Sequence, residues 1–163
     1  MTIYYTKVQT PLGILYISST NGEIIDVSLS DLDFNKRNEK EARVYHPSES
    51  VLLKAEKQLG EYFKGDRKSF SLPLKLVGTS FQLDVWKELC KIPYGEIVSY
   101  QDVATNINNQ KAVRAVGQAN RRNPIPILVP CHRVLGKNNA LTGYAGERID
   151  LKEKLLKLEG VLS

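Results

Sequence analysis

The sequence predicts an α+β fold in two parts: a small N-terminal antiparallel-sheet-plus-helix domain over residues 1–78, then a mostly helical domain over 79–163 with a helix-turn-helix and a candidate nucleophilic cysteine. Three observations carry this expectation. The first thirty residues alternate apolar and polar side chains between turn signals, the period-2 pattern of half-buried strands. After Gly78-Thr79 the apolar positions recur instead at helical spacing. The two halves also differ in charge, with 11 Lys/Arg against 10 Asp/Glu in residues 1–78 and 12 against 8 in residues 79–163.

Taken in order, Ile3, Tyr5 and Val8, then Ile14, Tyr16 and Ile17, then Ile24, Ile25, Val27 and Leu29 define three short strands of an antiparallel meander. Thr10-Pro11-Leu12-Gly13 and Ser19-Thr20-Asn21-Gly22 separate them. Asn21-Gly22 is a hairpin signal, because both residues tolerate positive φ. Residues 31–48 are charged and read as loop. A helix is expected over about Ser50–Phe63, with Leu52, Leu53, Ala55, Leu59 and Phe63 as its apolar stripe and Gly65-Asp66 as its stop. Phe70, Leu72, Leu74 and Leu76 alternate again and predict a further strand.

In the second half, Ser80 is expected to cap a helix running to about Lys91, with Leu83, Trp86, Leu89 and Cys90 facing inward. On that face Cys90 reads as a small core residue. Pro93-Tyr94-Gly95 predicts a turn, and Ser99 caps a short helix near Tyr100–Thr105. Asn106–Gln110 is a polar turn, followed by a helix over about Lys111–Asn120. Two short helices joined by a tight polar turn read as a helix-turn-helix. The second of them is rich in small side chains, Ala112, Ala115, Gly117 and Ala119, which suit either close helix packing or approach to a confined groove. Leu151, Leu155, Leu156 and Leu158 predict one more amphipathic helix before Gly160.

Composition narrows the class. The chain has 163 residues, a formal charge of +5, two cysteines and two histidines. No apolar run approaches the roughly 20 residues of a membrane span, and Met1-Thr2-Ile3-Tyr4-Tyr5 does not read as a signal peptide. Two cysteines make no disulfide scaffold, and no Cys/His cluster has zinc-ligand spacing, so neither metal nor cofactor is expected. The expected location is the cytoplasm, or the nucleus in a eukaryote. Between Val103 and Gly146 there is no acidic residue, while Lys111, Arg114, Arg121, Arg122, Arg133 and Lys137 lie there. A cationic stretch without carboxylates suits a polyanion such as DNA.

The segment with the strongest chemical signal is Asn123-Pro124-Ile125-Pro126-Ile127-Leu128-Val129-Pro130 followed by Cys131-His132-Arg133. Its prolines exclude helix and hold the chain extended. Ile127-Leu128-Val129 bury this strap and fix Cys131 at its end. A rigid cysteine beside His132 and Arg133 is a candidate reactive thiolate. Neighbours in extended chain point to opposite sides, so a water bridging Cys131 and His132 fits better than a direct bond. His132 then needs an acidic partner to fix its tautomer, for which Glu159 is the sequence-distant candidate.

Pro130-Cys131-His132-Arg133-Val134 resembles the active-site signature of the O6-alkylguanine-DNA alkyltransferases, or methylated-DNA–protein-cysteine methyltransferases. Gly95-Glu96-Ile97-Val98-Ser99-Tyr100, Arg114-Ala115-Val116-Gly117, Asn123-Pro124-Ile125-Pro126-Ile127 and Tyr144-Ala145-Gly146 resemble further segments of that family, continuously over about residues 79–160. The resemblance implies a ribonuclease H-like N-terminal domain and single-turnover repair of double-stranded DNA by a monomer, with cooperative binding left open. The helix-turn-helix would enter the minor groove, with Arg114 inserted into the duplex and Ala112 and Ala115 fitting the groove; Arg121 and Arg122, from the cationic stretch, are expected as further DNA contacts. O6-alkylguanine, and O4-alkylthymine, would be flipped out, and Cys131, with His132 and Glu159, would take the alkyl group. Tyr100, Val134, Tyr144 and Ala145 would hold the base, and Asn123 would brace the hinge. Ala145 departs from the serine frequent in the family, which matters only if a hydroxyl makes the contact. The alternatives are a catalytically silent lesion sensor, a helix-turn-helix regulator and a cysteine hydrolase. Sensor relatives lack the cysteine that this chain has.

Overall fold

Asn21 and Gly22 adopt φ of 51° and 76°, and the turn they make closes β2 (Gly13–Thr20) onto β3 (Glu23–Ser28). β1 (Ile3–Thr10) pairs antiparallel with the other side of β2, so the expected meander forms. The computed structural model describes residues 1–137, 140–141 and 149–163, and the chain divides into two compact units, Met1–Leu76 and Val77–Ser163. Among the described residues no helix is long and apolar enough to cross a membrane.

In the first unit the sheet order is β3-β2-β1-β4, the last strand being β4 (Arg43–Tyr45), parallel to β1. This strand and α1 (Asp31–Lys40) occupy the stretch expected to be loop. α1 has no apolar stripe to reveal it, since Phe34 is its one buried residue, stacked on Tyr16 at 4.3 Å between centroids. Its support is at the ends. Ser30 accepts from the Asp33 N–H, Asp31 and Asp33 lie in the first turn, and Arg37 and Lys40 lie in the last, each complementing the helix dipole. β4 is held by Arg43, whose Nη1 donates to Asp26 Oδ1 and Ser18 Oγ, both at 2.7 Å.

α2 (Ser50–Phe63) packs Val51, Leu52, Ala55, Leu59 and Tyr62 inward, while Leu53, expected on that stripe, is exposed. The strand expected over Phe70–Leu76 reduces to one bridge, Ile24 to Leu74. Ile24 N–H donates to Pro73 O and accepts, through its carbonyl, from Lys75 N–H, both at 2.8 Å. Pro73 has no N–H to extend the ladder. The alternation survives without the ladder, since Leu72, Leu74 and Leu76 are half-buried between exposed neighbours.

The second unit opens with α3 (Ser80–Leu89). Thr79, not Ser80, is its cap, in a reciprocal capping box with Gln82 that satisfies two otherwise orphaned N–H groups. Val85, Trp86 and Leu89 are buried. The helix ends at Leu89 and Ile92 takes the next buried position, leaving Cys90 exposed and not in the core. Before the cap, a Cβ on Gly78 would stand 2.7 Å from Trp86 Cζ3 and from Gln82 Oε1. Trp86 cannot yield, because it is 2% exposed and its Nε1–H donates to Ala119 O at 2.9 Å. Gly78→Ala is expected to destabilise the protein by about 1–3 kcal/mol through overpacking, measured by urea unfolding.

α4 (Tyr100–Asn106) is capped by Ser99 in a second capping box, with Asp102. Asn108, at φ 59°, makes the turn to α5 (Val113–Arg121), which starts two residues later than expected and leaves Ala112 as its N-cap. The short strands β5 (Val98–Ser99) and β6 (Val134–Leu135) pair in parallel, which sets the segment after Cys131 beside the start of α4. α6 (Ile149–Leu158) closes the unit with Leu151, Lys152, Leu155 and Leu156 buried.

Candidate active site

The prolines after α5 exclude helix, but the chain there is a tight turn more than an extended strap. Val129 N–H donates to Ile125 O at 2.9 Å, and Ile127 sits at φ 75°, a conformation that costs a β-branched residue about 1–3 kcal/mol. Asn123 supports the turn from inside. Its Oδ1 accepts from Ile125 N–H and its Nδ2 donates to Val129 O, both at 2.9 Å. Ile125, Ile127, Leu128 and Val129 are all buried. The turn leads into one turn of 3-10 helix, Cys131–Arg133, so Cys131 and His132 are not on opposite sides of an extended chain.

Cys131 and His132 are 0% exposed. His132 Nε2 lies 2.7 Å from Glu159 Oε2. Glu159 is itself held by Arg133, whose Nε and Nη2 donate to Oε1 and Oε2 at 2.9 and 3.0 Å while Nη1 donates to Ile92 O at 2.6 Å. Burial lowers the His132 pKa, and Glu159 opposes that shift. A neutral imidazole whose Nε2–H points at a carboxylate keeps Nδ1 as its acceptor, and Nδ1 meets no partner among the described residues. Burial pushes the Cys131 thiol up to about 11, against the opposing effects of a hydrogen bond from Asn123 and the charge of Lys152. The resting group is therefore a neutral thiol, and the expectation that cationic neighbours would favour a thiolate loses to desolvation.

Around this centre, Tyr100 is the first residue of α4 and is buried. Lys152 Nζ lies 5.7 Å from the centre of the Tyr100 ring and donates to the carbonyl of Val134 at 2.5 Å. Burial pushes Lys152 down to about 8, with Cys131 acting the other way. Tyr144 and Ala145 lie outside the described residues. On α5, Arg114 and Ala115 are exposed, as are Lys111 and Arg122 at its ends, whereas Ala112 and Arg121 are half-buried. Val116, Ala119 and Asn120 form the buried side. Gly117 is informative, since a mid-helix glycine costs about 1 kcal/mol and a Cβ there would meet nothing within 4 Å. Internal packing explains Ala119 but not Gly117.

Two family models match, described as the DNA binding domain of 6-O-methylguanine DNA methyltransferase over residues 80–161 and its ribonuclease-like domain over residues 3–76. The constitutive methylated-DNA–protein-cysteine methyltransferase of Bacillus subtilis is 51% identical, over 97% of this chain and 96% of its own. The chain belongs to the 6-O-methylguanine DNA methyltransferase family. Among solved structures, the O6-methylguanine methyltransferase of Mycobacterium tuberculosis superposes with a TM-score of 0.89 at 37% identity, covering 99% of this chain and 95% of that one. The same organism's protein in complex with DNA gives 0.86 at 38% identity, covering 96% and 92%.

Within this family member, the structure brings to the site two residues that the sequence did not single out, Lys152 and Asn120, and gives Arg133 a partner, Glu159, that the sequence did not assign to it. Lys152 had a readable signal, because Lys152, Leu156 and Glu159 stand at i, i+4 and i+7 on one helix face. Asn120 stands four residues after the buried Val116 in the same way. Arg133 was read as a cationic neighbour of Cys131, but its pairing with Glu159 had no spacing signal, since only the fold brings the two together.

The two cysteines are expected to invert their reactivity between reagents. A small aromatic disulfide should modify exposed Cys90 first and leave Cys131 slow, whereas an O6-benzylguanine substrate should modify Cys131 alone. In a Cys90→Ser protein the residual reaction of Cys131 with the disulfide should rise steadily with pH between 8 and 10, because thiolate is the reacting form. The native thiol titrates above its unfolded value, so its neutral burial stabilises the fold below about pH 9 and that contribution fades as pH rises through 11. Peptide mass spectrometry assigns each site, and a Cys131 that outpaces Cys90 at pH 7 would contradict the enclosed thiol.

Proposed function

We propose that this protein repairs DNA by transferring the alkyl group of O6-alkylguanine, and of O4-alkylthymine, to Cys131 in a reaction it performs once. The observation that carries this reading is the enclosed constellation Cys131, His132, Glu159 and Arg133 inside the helix-turn-helix unit of a family whose relatives are named for methyl transfer from methylated DNA to protein cysteine.

The damaged base lies in the stack and must be turned out of it, at a cost of a few kcal/mol. Arg114, exposed on α5, fills the space it leaves, while Ala112, Ala115 and Gly117 allow the helix close to the minor groove. Arg121 and Arg122 hold phosphates. In the pocket, the carbonyls of Cys131 and Val134 receive the purine's amino group, and Tyr100, with Tyr144 and the Ala145 N–H, donates to the departing base. The Cys131 proton passes through one water to His132 Nδ1, and Glu159 stabilises the imidazolium that forms. Sulfur attacks the alkyl carbon, the S–C bond forms as the C–O6 bond breaks, and the electron pair leaves on the purine, stabilised by those donors. The product thioether has no leaving group, so the protein stays alkylated.

The test is methyl-labelled O6-methylguanine in duplex DNA. One label per protein on Cys131, absent in Cys131→Ser, is the expected result. Binding without label points to a lesion sensor, and continued turnover to a hydrolase.

A further inference from the structure

We propose that Asn120 is a specificity-determining placeholder: its side-chain amide occupies the position on the Cys131 carbonyl that the exocyclic amino group of the purine takes on binding. The inference rests on the reading above, in which that carbonyl receives the amino group, and adds a residue to which no role has been given.

Asn120 is fully buried in the last turn of α5, where a polar side chain is neither a good helix former nor retained without hydrogen bonding. Support of the turn before Cys131 is already supplied by Asn123, through Ile125 and Val129. Asn120 goes to a different atom, since its Nδ2 donates to the carbonyl of Cys131 itself at 3.3 Å. The same carbonyl accepts from Val134 N–H, the bond that closes the 3-10 turn. A carbonyl offers two lone pairs, and these two donors fill both.

A third donor needs one of them to give way. The Val134 bond is part of the backbone turn that places Cys131. The Asn120 bond, at 3.3 Å, lies just past the usual N–H···O range and ends on a side chain that rotates without moving the backbone. The amino group of a bound purine therefore replaces Asn120. Its own bond to Cys131 is offset by the one it displaces, so the protein draws little preference from the amino group at this carbonyl. The displaced amide sits on the same helix as Arg114, which ties occupancy of the pocket to the element that faces DNA.

The consequence has a definite sign. In Asn120→Leu the carbonyl keeps Val134 N–H and has a lone pair open, so the amino group gains a full bond. The ratio of alkylation rates for O6-benzylguanine over O6-benzylhypoxanthine, which lacks the amino group, is expected to rise by about fivefold, the size of one net neutral hydrogen bond. An unchanged or lower ratio, with Cys131 still alkylated, overturns the proposal, while loss of alkylation of Cys131 in the parent protein overturns the proposed function instead. A second measurement needs no change at Asn120. In Cys131→Ser protein, the Asn120 side-chain amide proton is expected to shift upfield with O6-benzylguanine and to stay in place with O6-benzylhypoxanthine. The same position in both complexes overturns the proposal.

Discussion

Glu159→Ala is expected to lower the stability of the fold by about 3–5 kcal/mol, the usual cost of removing one partner from a buried charged pair, and to end alkyl transfer. The Glu159 carboxylate is the counter-charge for Arg133 and the acceptor for His132 Nε2, and it also receives Gly95 N–H at 3.4 Å. Without it, Arg133 keeps the carbonyl of Ile92 but, among the described residues, stands as a buried guanidinium with no other carboxylate paired to it, and the imidazole loses the group that sets its tautomer. Glu159→Gln separates these effects. It preserves an acceptor for His132 and removes the charge, so it should cost less stability than the alanine variant while still slowing transfer, because the amide cannot stabilise an imidazolium. Urea unfolding and the rate of label uptake by Cys131 measure the two effects on the same preparations. An alanine variant within about 1 kcal/mol of the parent, the worth of a solvated surface pair, would contradict a buried network.

Arg114→Ala should act in the opposite way, leaving the fold and the chemistry alone and removing access to the lesion. Arg114 is exposed on α5, so its loss opens no cavity. Turning a base out of a duplex costs a few kcal/mol, and a side chain that replaces the lost stacking offsets about 2–3 kcal/mol of it, which corresponds to about a hundredfold in rate. The variant is therefore expected to repair O6-methylguanine in duplex DNA about a hundredfold more slowly and to react with free O6-benzylguanine at the parental rate. Equal losses on both substrates would mean that Arg114 acts on the pocket and not on the helix of DNA.

The elements that were legible in the sequence are those whose stability comes from periodic burial or from a local turn. The β1–β3 meander, α2, and the cap of α4 at Ser99 fall in this class. α1 was hidden because one buried aromatic residue, Phe34 against Tyr5 and Tyr16, and its end charges support it, and neither leaves a repeating pattern. β4 was hidden because a three-residue strand depends on Arg43 reaching Asp26, a pairing 17 positions apart that no local pattern encodes. At the site, Cys131 and His132 were marked by the prolines and by their own chemistry. The protonation state of Cys131 was not, since it follows from complete burial, which outweighs the nearby Lys152 and Asn123. Lys152 shows the same limit from the other side: its spacing put it on the inner face of α6, but a lysine is ordinarily solvated, and only the fold supplies the carbonyl it binds.

A neutral, enclosed sulfur also decides how the protein ages. Peroxides and other small electrophiles consume cysteines in proportion to their thiolate character and accessibility, and Cys131 is poor in both. Cys90, out at the end of α3, meets such reagents first and carries none of the proposed chemistry. A molecule that reacts once, as proposed above, is thereby kept unspent through oxidative exposure. The burial expected to slow Cys131 toward such reagents is what keeps it available for the proposed transfer when damage arrives.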